Sequence, residues 1–119
     1  MYPISSGVEF NNSPQYKELE IIQDCYPMGS GLFSTALKSI KDKDFSDSQL
    51  SQAKQITKVN CLNSMQIKEI CKLFDFEDTK LEFAKFAYQY CIDQNNYWQI
   101  NDIFEFSSTV DELNDFLTR

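Results

Sequence analysis

The chain has no histidine among its 119 residues. Ser-His-Asp and Cys-His nucleophile systems are therefore absent, and so is the side chain most often used as a general acid or base. Glycine and proline are nearly as scarce, with three of each, all within the first 31 positions. A β-sheet domain between Leu32 and Arg119 would need Gly-rich or Pro-rich turns, whereas helices joined by short Asn, Asp and Ser turns do not. The same gap leaves no phosphate loop or dinucleotide fingerprint beyond Gly31. No Cys-x-x-Cys occurs, and the cysteines at 25, 61, 71 and 91 are too far apart to suggest zinc. They read as small buried hydrophobes, with a disulfide as the other reading. No run approaches the roughly 18 apolar residues of a membrane span. The opening MYPISSGVEFNNS lacks the basic stretch and apolar core of a signal peptide. The expected setting is cytoplasmic, intracellular and open to cytoskeletal association.

Aromatic residues, by contrast, are plentiful: ten Phe, six Tyr and one Trp. With an apolar share of 42% they supply the core of a single domain. The net charge of −7 is uneven, with −1 in residues 1–60 and −6 in residues 61–119. Such a surface repels phosphate backbones, so nucleic acid is not expected and a protein partner with a basic surface is.

The expected fold is all-α, a compact stack of short helical hairpins with six or seven helices. Residues 1–12 read as an irregular arm and 13–119 as one helical-repeat domain. Ser13-Pro14 starts a helix running to about Cys25, and Pro27 to Gly31 ends it. The next helix faces inward with Leu32, Phe33, Ala36, Leu37 and Ile40. Ser46 and Gln49 form a capping-box pattern for a third helix burying Leu50, Ala53, Ile56 and Val59. Asn63 and Gln66 cap a fourth, with Ile67, Ile70, Cys71 and Phe74 inside. The stretch 78–91, DTKLEFAKFAYQYC, is the central helix. Its polar residues Asp78, Glu82, Lys85 and Gln89 fall in one stripe, and nearly everything else on it is apolar. A short sixth helix carries Tyr97, Trp98, Ile100, Ile103 and Phe104, and Thr109 with Glu112 caps the last, which faces inward with Val110, Leu113, Phe116 and Leu117. Phe45-x4-Leu50-x2-Ala53-Lys54 matches Phe76-x4-Leu81-x2-Ala84-Lys85 at a spacing of 31 residues, and Phe106 follows Phe76 by 30. Each unit reads as a hairpin that buries its face only by stacking on its neighbour.

These residues carry a likeness. Phe33…Ile40…Phe45…Leu50-x-x-Ala53-Lys54, Cys61-Leu62…Phe74-Asp75-Phe76, KLEFAKFAY at 80–88 and Phe104-x-Phe106-Ser-Ser…Glu112-Leu113 resemble a small helical domain of bacterial and eukaryotic proteins. It is the domain-of-unknown-function family four-four-seven-six, and the likeness covers about residues 30–117. The resemblance implies the fold and no particular activity.

No cofactor and no metal are expected. Asp93-x-Asn95-x-Tyr97 is similar to the start of an EF-hand loop, but Trp98 stands where glycine is needed and Phe104 where the bidentate glutamate belongs. Most carboxylates fall on polar faces or at helix N-termini, where the dipole favours them. The reading is of a non-catalytic protein–protein interaction module, a structural or adaptor subunit of a larger assembly. The alternatives are an enzyme using carboxylate, Tyr or Cys chemistry in an inter-helix cleft, and a helical domain that binds a small apolar ligand. The candidate partner-binding residues are the aromatic pair Tyr97 and Trp98 with the acids Asp102, Glu105, Asp111, Glu112 and Asp115.

Overall fold

The computed structural model describes residues 26–119. The arm expected at 1–12 and the helix expected at 13–25 lie outside the described residues. Five α-helices follow: α1 (Ser30–Lys41), α2 (Ser46–Val59), α3 (Ser64–Cys71), α4 (Glu77–Ala87) and α5 (Ser107–Leu117). Two 3₁₀ segments, Tyr88–Tyr90 and Gln94–Ile103, lie between α4 and α5. No strand occurs among the described residues; a single parallel bridge joins Leu62 to Cys91. The fold is all-α.

Helical spacing selects the buried faces. On α1 these are Phe33, Ala36 and Ile40, and on α3 Ile67, Ile70 and Cys71. On α4, Leu81, Phe83, Ala84 and Ala87 are buried, and Phe83, fully buried, meets Phe74 edge-on at 5.6 Å. The stripe at Asp78, Glu82 and Gln89 is exposed, with Lys85 half-buried. Val59, expected inside, ends α2 and is 73% exposed.

Helix starts divide into two kinds. Asn63 and Gln66 form the expected reciprocal box at α3, with hydrogen bonds of 2.8 and 3.1 Å. The boxes expected at Ser46/Gln49 and Thr109/Glu112 do not form. Both helices begin one residue after a phenylalanine that occupies the cap position in extended conformation, so Ser46 is already the first residue of α2 and Thr109 the third of α5. Phe45, Phe76 and Phe106 all hold this place, with φ of −123°, −110° and −114° and no side-chain cap.

The central helix stops at Ala87, short of the expected Cys91. Cys91 is extended and paired with Leu62, whose carbonyl accepts from Ile92 N at 3.1 Å. Helical backbone cannot satisfy that pairing, so a tertiary contact ends the helix where propensity would continue it. A matching connector contact joins Met28 N to the Cys61 carbonyl at 3.0 Å, and Gln66 Nε2 donates to the Met28 carbonyl at 2.7 Å.

Helices α2, α4 and α5 form one layer, α4 in the middle; α1, α3 and the 94–103 segment pack behind. Two side-chain joints hold the front layer. Lys54 meets Glu82 at 2.8 Å and lies over the Phe86 ring at 5.3 Å. Lys85 meets Glu112 at 3.0 Å and lies over Phe116 at 5.5 Å. Lys54 and Lys85 each stand nine residues after the cap phenylalanine of their own helix, while the Glu and Phe they meet stand six and ten after the next one. Positions meet at nearly equal height, so the three helices run parallel and their phenylalanines lie at the same end.

Candidate docking surface

The 94–103 segment is the clearest departure from expectation. A 3₁₀-helix has three residues per turn, so residues three apart share a face. Tyr97, Ile100 and Ile103 are therefore the buried side. Tyr97 is 3% exposed, its hydroxyl donates to the Ala84 carbonyl at 2.6 Å, and its ring meets Tyr88 edge-on at 5.0 Å. It belongs to the core and, contrary to expectation, offers no surface to a partner. Trp98, one residue on, is 64% exposed.

The acids do not form one patch with it. Asp102 is 3.4 Å from Lys68 and Glu112 is held by Lys85. Glu105 donates its backbone N–H to Glu77, while Asp111 and Asp115 are exposed on α5.

A second set of side chains was missed by sequence reasoning. Phe45, Phe76 and Phe106 are 72%, 60% and 57% exposed. Each follows an exposed acid, namely Asp44, Asp75 and Glu105. The cap position favours Asn, Asp or Ser, whose oxygen accepts from a free backbone N–H; forgoing that costs about 1 kcal/mol. Three cap sites are thus occupied by rings that neither cap nor bury. The repeat spacing is the available signal, but by itself it marks only hairpins that stack on their neighbours.

The ends of α4 and α5 are tied directly. Glu77 accepts from Glu105 N and Phe106 N at 3.0 and 3.2 Å. Burial works against its charge, but those two N–H groups, Thr109 and Lys80 outweigh this and hold its pKa below the ordinary 4.5. Beside α2 and α4 lies an open depression of about 310 Å³ lined by Asp47, Leu50, Ser51, Lys54 and Glu82. Its polar lining does not resemble a lipid pocket.

Asp93 and the thiols of Cys71 and Cys91 are packed into the structure. Asp93 accepts from Ser64 N at 2.7 Å, Ser64 Oγ at 3.0 Å and Asn96 Nδ2 at 3.0 Å. Its carboxylate thus sits at the start of α3, where the helix dipole favours it. Burial raises its pKa, yet Asn96, Ser64 and Cys91 together hold it below the ordinary 3.8. Burial pushes the Cys91 thiol up to about 12 and raises that of Cys71 further, so neither thiol is a ready nucleophile at neutral pH. Cys61 is disulfide-bonded, so both readings of the cysteines apply: a disulfide at Cys61 and buried thiols at Cys71 and Cys91. Among the described residues no group of three or more Cys, Asp or Glu is placed to hold a metal, and no helix is long and apolar enough to cross a membrane.

No curated protein and no solved structure matches the chain. Residues 27–117 match a family model, close to the span over which the sequence motifs carry their likeness. On that match the chain belongs to the family described as Domain of unknown function (DUF4476).

Proposed function

We propose that the chain is a non-catalytic protein-binding module, a structural or adaptor subunit of a larger assembly. The observation that carries this reading is the exposure of Phe45, Phe76 and Phe106 at matched cap positions on parallel helices. Exposed aromatic side chains on a rigid scaffold are common anchors of protein interfaces. Large apolar side chains displayed together on one end of a fold favour an interaction site. The matched positions are read as copies of one hairpin unit, each contributing one ring. The acidic excess favours a basic partner, speeds encounter and makes binding sensitive to salt.

The test is capture from cell extract with the full chain as bait, followed by cross-linking to locate the contact. Phe76→Ala and Trp98→Ala baits separate the two exposed aromatic surfaces. The expected result is a partner lost with Phe76→Ala, retained with Trp98→Ala and weakened by added salt. Partners retained by both variants at all salt concentrations would overturn the reading.

A further inference from the structure

We infer that the phenylalanine row binds a basic, proline-rich segment lying across α2, α4 and α5 in polyproline II conformation; this rests on the protein-binding reading above. The first argument is spacing. Packed helices sit about 8–10 Å apart, so the row offers one ring per such interval. A polyproline II chain has three residues per turn and rises about 3.1 Å per residue, so it returns the same face about every 9 Å. One residue in three would then rest on each ring in turn. An α-helix laid across the row repeats every 5.4 Å and does not match. Aromatic surfaces that bind such chains exploit their preformed, extended shape.

The second argument is charge. Asp44, Asp75 and Glu105 each stand directly before a ring and are exposed. None of the three is in an ion pair with a cation of the described residues. Asp47 adds an exposed carboxylate at the depression beside α2 and α4. An Arg or Lys of the bound segment would find a carboxylate at each step and a ring face for cation–π contact. The same charge disfavours two other occupants. A second copy of this chain carries −7, and residues 1–25 carry four acids against one lysine.

The experiment uses fluorescein-labelled peptides and the full chain, read by fluorescence anisotropy. One peptide is a run of Arg-Pro-Leu triplets, the second has the same composition shuffled to break the three-residue period, and the third replaces Arg with Glu. Only the first should bind well, and its affinity should fall as salt is raised. Phe76→Ala, at the middle of the row, should weaken it about tenfold or more, in line with an anchor residue. Circular dichroism should show that the variant keeps its fold, since this ring is 60% exposed. Equal binding of the shuffled peptide, or binding indifferent to Phe76→Ala, would overturn the inference. So would a dimer of the unliganded chain in sedimentation that Phe76→Ala dissolves, because the row would then belong to a second copy. If no peptide binds while the captured partner still needs Phe76, the polyproline occupant falls and the docking module stands. If neither needs Phe76, both fall.

Discussion

Ala84 and Lys85 are adjacent in sequence and stand in opposite environments. Ala84 is fully buried between layers. An aspartate there would place an uncompensated carboxylate in the core at a cost of several kcal/mol, against a total stability of roughly 5–15. Ala84→Asp should therefore abolish the thermal transition. Lys85→Ala removes a half-exposed ion pair with Glu112 and a ring contact, so it should cost about 1 kcal/mol or less. Similar melting of the two variants would mean that α4 is rotated from its described orientation. Thr57 gives a prediction of opposite sign. Its Oγ1 is fully buried and has no hydrogen-bond partner among the described residues. Thr57→Val removes an orphaned hydroxyl while keeping the shape, and should raise stability by about 1 kcal/mol in denaturant unfolding.

Elements are joined by a few polar clasps, and these set the response to pH. Glu77 ties α4 to α5 and Asp93 ties the 3₁₀ region to α3. Both carboxyls have folded-state pKa values below their ordinary 4.5 and 3.8. Their contribution is therefore present at neutral pH and is lost as pH falls below those values and through the lower folded ones. Unfolding midpoints should be flat near neutrality and decline below about pH 4.5, with Glu77→Gln and Asp93→Asn each flattening the decline. The Tyr97 hydroxyl is a third clasp, on the Ala84 carbonyl. Tyr97→Phe should cost about 1 kcal/mol with the helical spectrum unchanged. These clasps also mark where sequence reading stops. The apolar faces of α1, α3 and α4 follow a 3.6-residue period and are legible directly. The switch to a three-residue period at Gln94–Ile103 is not, because Tyr97, Trp98, Ile100 and Ile103 fit either period until the bridge at Cys91 fixes the backbone. Trp98 is legible as a candidate surface contact, since Ile100, Ile103 and Phe104 claim the inner side, but sequence alone does not decide between core and surface for it. The cap phenylalanines are not legible: apolar residues at regular spacing look alike in sequence whether they are stacked or displayed.

At the scale of the molecule, the disulfide at Cys61 adds a constraint that composition left open. A covalent link stabilises chiefly by restricting the unfolded chain, so dithiothreitol should lower the melting temperature. An unchanged melt would show that the link contributes nothing to stability. The joints of the front layer have a different consequence, visible at its two flanks. Six and ten residues after Phe45, where α4 and α5 present Glu and Phe to a neighbour's lysine, α2 has Ser51 and Gln55. Nine residues after Phe106, where α2 and α4 send out a lysine, α5 has Asp115. Each free flank thus lacks the half of the joint that the opposite flank would need. Two copies brought head to tail find no lysine to offer and no acid-and-ring pair to receive it. The chain builds a ladder out of one recurring contact, and its outermost rungs lack the pieces that would repeat that contact in a second copy.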